Sequence, residues 1–308
     1  MSIGYTTIDP TKEMAAPTSP TSESETKANV VELRNEDQHE VLSFLFTRPV
    51  HTVCMVSYIR DNGIESPLNR GTFYGYRNED GRLVGVALIG HATLVETQNE
   101  EALKAFAEIN RQHADCHLIR GEHSIVERYW KYYSETRHIP HLKCRELLFQ
   151  QTVPPKPIDQ APELRQATLE DIHSIIRINA QMIISECGID PLVKDPVGFY
   201  ARVTRRIEMG RIWVWTKRES MVFKADVFAE TREMSYLEGI YVHPFYRGMG
   251  NGLRCMNRLS NILLQRSRGL CLMINEEKPD LCTFYKKAGF EIDGAYDTVY
   301  LDGPLTNR

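Results

Sequence analysis

Leu237-Glu238-Gly239-Ile240-Tyr241-Val242-His243-Pro244-Phe245-Tyr246-Arg247-Gly248-Met249-Gly250-Asn251-Gly252-Leu253 is the stretch on which the reading of this chain turns. An apolar strand runs to Val242, a proline marks a turn, and a glycine loop carrying one arginine opens into a helix. That helix has Leu253, Met256, Leu259 and Leu263 on one face. Small residues at alternate positions let the backbone turn tightly, and the first N–H groups of a helix have no intrahelical partner. They sit at the positive end of the helix dipole, where phosphates are held. The spacing therefore predicts a phosphate cradle made by the amides of Gly248, Met249, Gly250, Asn251, Gly252 and Leu253, with Arg247 as a permanent cation at its mouth.

Other glycine loops fit less well. A dinucleotide fingerprint needs a third glycine where Leu253 stands and an acidic residue closing the following strand. A Walker loop needs a Gly-Lys-Ser/Thr ending, which is absent here. A plain helix-capping turn is the remaining alternative.

A second stretch bears on that alternative: Asn275 follows a buried strand, and Phe284-Tyr285-Lys286-Lys287-Ala288-Gly289-Phe290 follows in turn. Together, Arg247-Gly248-Met249-Gly250-Asn251-Gly252 and this distal stretch resemble the two motifs of the Gcn5-related N-acetyltransferase (GNAT) superfamily. The resemblance covers roughly residues 162–303. It implies an acetyl-CoA-dependent acyltransferase that acts on an amine-bearing small molecule or protein by direct transfer in a ternary complex, without a metal. By position, Ile240, Tyr241 and Val242 inherit the strand whose free backbone groups hold the pantetheine arm, and Asn275 and Phe284 join the cofactor set. Glu238 stands where the family often places a carboxylate base, and Tyr285 matches the tyrosine that protonates the departing thiolate. Strict alternation puts Glu238 with Tyr236, Ile240 and Val242, apolar company that would raise its pKa. A core aromatic is the competing role for Tyr285, and a helix cap for Asn275. A non-catalytic acyl-CoA-binding regulator is the alternative function, and a purely structural module a third.

Outward from these motifs, residues 153–160 contain Pro154, Pro155 and Pro157, which favour an extended linker. Before it, residues 29–152 alternate apolar strands and helical patterns; after it, residues 161–308 do so in nearly the same order. The expectation is a mixed α/β sheet repeated in tandem as two acyl-CoA N-acyltransferase folds. The first copy is read as degenerate, because its strand at 84–89 leads through Thr97-Gln98-Asn99-Glu100-Glu101 into a helix, and paired glutamates repel a pyrophosphate. Lys224 and Asp226 share a strand face and suit an ion pair or a substrate contact. Glu186 and Asp190 sit near a helix end, where they would attract a cationic amine or simply be solvated. Residues 1–28 carry too little apolar content to fold and are expected to be a disordered tail.

Composition narrows the partners. The 308-residue chain has a formal net charge of −4, so it lacks the basic footprint of a nucleic-acid binder. No apolar run approaches the roughly 20 residues that span a bilayer. Its seven cysteines are scattered without zinc-type spacing. The expected setting is cytoplasmic, with no membrane or metal partner.

Overall fold

The computed structural model describes residues 29–113, 116–136, 140–158, 162–218 and 220–301. The tail expected over 1–28 and part of the linker lie outside them. The first half supplies strands β1 (Val30–Glu32), β2 (Gly71–Arg77), β3 (Leu83–Gly90), β4 (Ala92–Thr97), β5 (Leu118–Glu122) and β6 (Leu142–Gln151). Its helices are α1 (Gln38–Leu45), α2 (Pro49–Asn62), α3 (Glu100–Asn110) and α4 (His123–Tyr133). The second half supplies β7 (Arg165–Gln166), β8 (Ile212–Lys217), β9 (Ser220–Glu230), β10 (Ser235–Val242), β11 (Leu270–Asn275) and β12 (Glu291–Tyr300). Its helices are α5 (Ile172–Cys187), α6 (Pro191–Lys194), α7 (Pro196–Glu208), α8 (Asn251–Leu263) and α9 (Pro279–Lys287).

These strands form one sheet in the order β1-β2-β3-β4-β5-β12-β6-β11-β10-β9-β8-β7. The two halves run in parallel through their first five strands and then exchange the sixth. Strand β6 pairs antiparallel with β11 of the second half, and β12 pairs antiparallel with both β5 and β6. Linker residues 153–160 thus divide the sequence, while the sheet runs on without a break.

Alternating side chains give the inner strands two buried faces. On one face, Phe149, Leu237, Leu270 and Leu272 pack under α8, and Ile119 and Val299 pack under α3 and α4. On the other, Leu148, Tyr236, Cys271 and Tyr296 meet Val53 of α2, while Ile212 and Val214 meet α5 and α7. Helical spacing explains the second set: Phe199, Val203 and Ile207 are the buried residues of α7. Helix α2 of the first half therefore covers strands of the second. Buried Asp297 of β12 reinforces the exchange by accepting from His123 Nδ1 of α4 at 2.9 Å and Arg145 Nε of β6 at 2.5 Å.

Helix α2 starts at Pro49 and is closed by Gly63, which adopts φ 82°. One expectation needs correction. The strand that leads into the first-half helix is β4 rather than residues 84–89, which belong to β3; Gly90 and His91 make a turn too short to be legible. Strand β12 carries an irregularity between Ile292 and Gly294. No helix among the described residues is long and apolar enough to cross a membrane, and none of their His, Cys, Asp and Glu residues group as a metal site.

Candidate active site

Strands β10 and β11 run parallel but pair only at Ser235–Leu270 and Tyr236–Cys271. Beyond Tyr236 they splay, because β11 continues along β6 to Asn275 while β10 follows β9 to Val242. Among the described residues no strand pairs with the edge of Ile240, Tyr241 and Val242 that faces β11, as an added extended chain requires.

The glycine loop stands at the mouth of this gap. Arg247 N and Arg254 N donate to Pro244 O and Gly250 O; between them, no N–H of residues 248–253 is bonded to protein among the described residues. Gly248 and Gly250 adopt φ 74° and 75° with open space around them, so backbone conformation is what demands glycine there. At Gly252 space is tight: a Cβ would lie 3.2 Å from both the Phe284 and the Val242 side chains. Arg247 Nε donates to Val242 O at 2.9 Å, which fixes the guanidinium at the end of β10. Asn251 is buried with its side chain spent on the loop, donating to Tyr246 O at 3.0 Å and accepting from Arg254 at 2.7 Å. Arg254 is a second cation at the cradle that the motif did not reveal. Met249 is exposed on the loop, and Leu253 packs against the core under α8.

Across the gap, Tyr285 is buried on α9 against Phe149, Phe284 and Phe290. Burial pushes its phenol above the usual range and keeps it a neutral proton donor. Asn275 closes a turn by accepting from Glu277 N at 2.8 Å, the capping role weighed against a cofactor contact.

Glu238 departs from the expected alternation. Gly239 adopts φ 58°, and the β10–β9 register shifts between Glu238 and Tyr241. This bulge turns Ile240 and Val242 to the α8 side, whereas Tyr236 and Tyr241 pack on the opposite side. Glu238 therefore does not share a face with Ile240 and Val242, as simple alternation predicted; a single glycine at positive φ breaks the period. Lys224, wholly buried, holds the bulge by donating to Gly239 O at 3.0 Å while its ammonium pairs with Asp226 at 2.8 Å. Of the two roles weighed for Lys224 and Asp226, the geometry gives the ion pair. Gly239→Val would set a Cβ within 2.7 Å of Lys224 Nζ at a φ that branched residues avoid. It should cost about 1–3 kcal/mol in denaturant unfolding. Turnover should fall further than stability, because the bulge orients Glu238.

The Glu238 carboxylate faces a charged cleft built by both halves. Arg206 of α7 donates to it at 3.0 Å and lies 4.6 Å above the Phe228 ring. Burial raises the Glu238 pKa, Asp226 adds to the rise, and Arg206, Arg120 and Lys224 oppose it without cancelling it. Arg120 of β5 pairs with Glu146 of β6 at 3.1 Å, and both come from the first half. Glu186 joins them: burial and the Glu238 charge push its carboxyl up. Asp190, by contrast, caps α6 by accepting from Leu192 N at 2.9 Å. Arg206 is on the same face of α7 as Arg202, a spacing visible in the sequence. Arg120 and Glu146 had no such signal, because strand exchange brings them here.

The corresponding place in the first half is chemically different. Asn99 caps α3 by accepting from Ala102 N, and Glu100 in its first turn takes hydrogen bonds from Arg128 and Tyr132.

The Acetyltransferase (GNAT) domain family matches residues 208–292, which span Glu238, the cradle and Tyr285. Residues 208–292 are thus similar to a GNAT acetyltransferase domain. Solved structures extend the likeness of fold over both halves. A Drosophila protein superposes at TM-score 0.63 and 11% identity, covering 89% of this chain and 98% of its own. A Gcn5-related N-acetyltransferase from Sphaerobacter thermophilus gives 0.57 at 11% identity, covering 90% and 97%. A tandem GNAT protein from the clavulanic acid biosynthesis pathway gives 0.53 at 14% identity, covering 89% and 98%. No curated protein sequence matches the chain. The fold is a tandem GNAT fold, and the glycine loop lies in its second copy.

Proposed function

We propose that the chain is an N-acetyltransferase that moves an acetyl group from acetyl-CoA to a primary amine by direct transfer in a ternary complex. The observation that carries this reading is the splayed β10–β11 gap, with a cradle of unbonded N–H groups at its mouth. Residues 248–253 and Arg247 would hold the pyrophosphate, with Arg254 beside them, and the open edge at Ile240, Tyr241 and Val242 would hold the pantetheine arm. Bound acetyl-CoA supplies the activated acyl carbon and a thiolate leaving group. Glu238 and Tyr285 lie on opposite sides of β10, so the gap is where both reach the reacting atoms. Glu238 accepts the ammonium proton, directly or through one water, and frees the amine to attack; Tyr285 donates its proton to the departing sulfur.

A covalent cysteine route has little support. In the cleft, burial pushes the Cys54 thiol up to about 12, far from the thiolate a nucleophile needs. On the buried face of α8, the Cys255 thiol is likewise raised to about 12.

The ion pair between Glu238 and Arg206 favours a second reading, a non-catalytic acyl-CoA-binding regulator, because a paired carboxylate is a weaker base. Turnover and its pH dependence distinguish the two. With burial prevailing, Glu238 should lose its proton above the ordinary glutamate range, so kcat/KM should rise with pH through that raised value. Glu238→Gln should abolish this acidic limb. No turnover with any amine would favour the regulator, whereas a pH-independent rate would keep the enzyme and remove Glu238 as its base.

A further inference from the structure

The cleft around Glu238 is deep and lined from both halves. Tyr58 of α2 meets the Phe228 ring edge to face at 6.1 Å, the same ring above which Arg206 lies. Arg120 of β5 donates its Nε to Thr298 Oγ1 of β12 at 2.8 Å and its Nη2 to Glu146 of β6 at 3.1 Å. Solvent still reaches the side chains of Glu238 and Arg206, yet burial is the largest influence on the pKa of each, which marks groups at the floor of a deep cleft open to solvent. The ions of this cleft are paired: Arg206 with Glu238, Arg120 with Glu146, and Lys224 with Asp226. Among its carboxylates Glu186, on the last turn of α5, is the exception. It is exposed and has no hydrogen bond or ion pair with any described residue.

The place of Glu186 on its helix aims it inward. Glu186 and Asn179 lie two helical turns apart on the face that also carries Ile175, Met182 and Ile183, and this face packs with Tyr241 of β10. Asn179 is only 8% exposed, and its Oδ1 has no donor among the described residues. A buried acceptor without a donor is costly, and a carboxylate without one stands on the same face. Both atoms call for a group that brings N–H bonds. The charges agree: burial raises the Glu186 carboxyl, Glu238 and Glu146 raise it further, and Lys278 and Arg120 oppose them without cancelling them. Lys278 itself is exposed at the start of α9 and makes no ion pair with Glu186. A positive charge carried in by a ligand would offset this accumulation of carboxylates.

We propose that Glu186 holds a second ammonium group of the acceptor, so that the acceptor is a small diamine whose other nitrogen receives the acetyl group at Glu238. This deepens the acetyl-transfer reading and rests on it for the word acceptor. The N–C bond forms at the nitrogen that gives its proton to Glu238, the C–S bond breaks, and Tyr285 protonates the sulfur, while the second ammonium keeps its protons. Walls from both halves suit a free small molecule better than a lysine on a folded protein. Binding can be read without turnover. Straight-chain diamines from propanediamine to hexanediamine, with butylamine as the monoamine, are titrated calorimetrically into the full-length protein with CoA present, in wild type and in Glu186→Gln. At least one diamine should bind roughly tenfold or more tightly than butylamine, and Glu186→Gln, an isosteric change at an exposed position, should remove that advantage. Equal affinity for butylamine and every diamine, or an advantage that survives in Glu186→Gln, would overturn the site. In acetylation assays, a KM for the preferred diamine about tenfold below that of butylamine, levelled in Glu186→Gln, would support the assignment. Diamine binding without acetylation of any amine would count against the transferase reading and leave the Glu186 site standing, whereas acetylation with no preference for a diamine would do the reverse. A lysine of a folded protein acetylated with a KM as low as that of the preferred diamine would overturn the small acceptor.

Discussion

A fragment beginning at Pro157 should fail to fold. Such a fragment contains the whole family match and every residue of the cradle, yet it lacks β6 and β5. Strand β11 would lose its partner over Leu270–Asn275, and β12 would lose both of its neighbours. Two wholly buried side chains, Leu148 and Phe149, would vanish from opposite faces of the sheet, together with Val53 of α2. Each large apolar side chain contributes roughly 1.5–3 kcal/mol on burial. A domain of this size is stable by only about 5–15 kcal/mol in total, so losing these contacts and two strand ladders removes most of the margin. Circular dichroism of the fragment should show no cooperative melt, whereas the intact chain should melt in one transition, and co-expression with residues 29–158 should restore that transition. A fragment that melts cooperatively near the temperature of the intact protein would show that the exchange is dispensable.

The second large effect concerns chemistry. Glu238→Gln keeps size and hydrogen bonding but cannot accept a proton, and Tyr285→Phe keeps the packing against Phe149 and Phe290 while removing the phenolic proton. General acid and base groups typically contribute 10²–10⁴-fold, so turnover should fall by roughly that factor for Glu238→Gln and by somewhat less for Tyr285→Phe. Acetyl-CoA affinity should stay within about twofold of wild type, because neither group belongs to the cradle or the open strand edge. Unchanged turnover in both variants would remove them from the mechanism. A parallel loss of affinity would move them into cofactor binding.

Much of the second half was legible because its signals are local. The glycines at 248, 250 and 252 and the apolar period of α8 lie within one stretch, and they foretold a strand, a loop and a helix. What stayed hidden depends on other parts of the chain. The register of β10 turns on the positive φ of Gly239 and on the Lys224 ammonium that pins its carbonyl, so side-chain alternation alone placed Glu238 with the wrong neighbours. Arg120 and Glu146 reach the cleft only because β6 and β12 trade places, a choice settled by the packing of both halves. The short turn between β3 and β4 carries few residues to announce it, so nothing local in the sequence marks the second strand of that hairpin.

The central claim is that this chain has one acyl-CoA site, formed by the second-half cradle and the β10–β11 gap, with an acidic helix start in its place in the first half. Calorimetric titration of the intact protein with acetyl-CoA tests it most directly. The account predicts one equivalent bound per chain, with affinity falling at least tenfold in Gly250→Val, where a branched side chain must adopt φ 75°. No binding, two equivalents, or full affinity in Gly250→Val would contradict it.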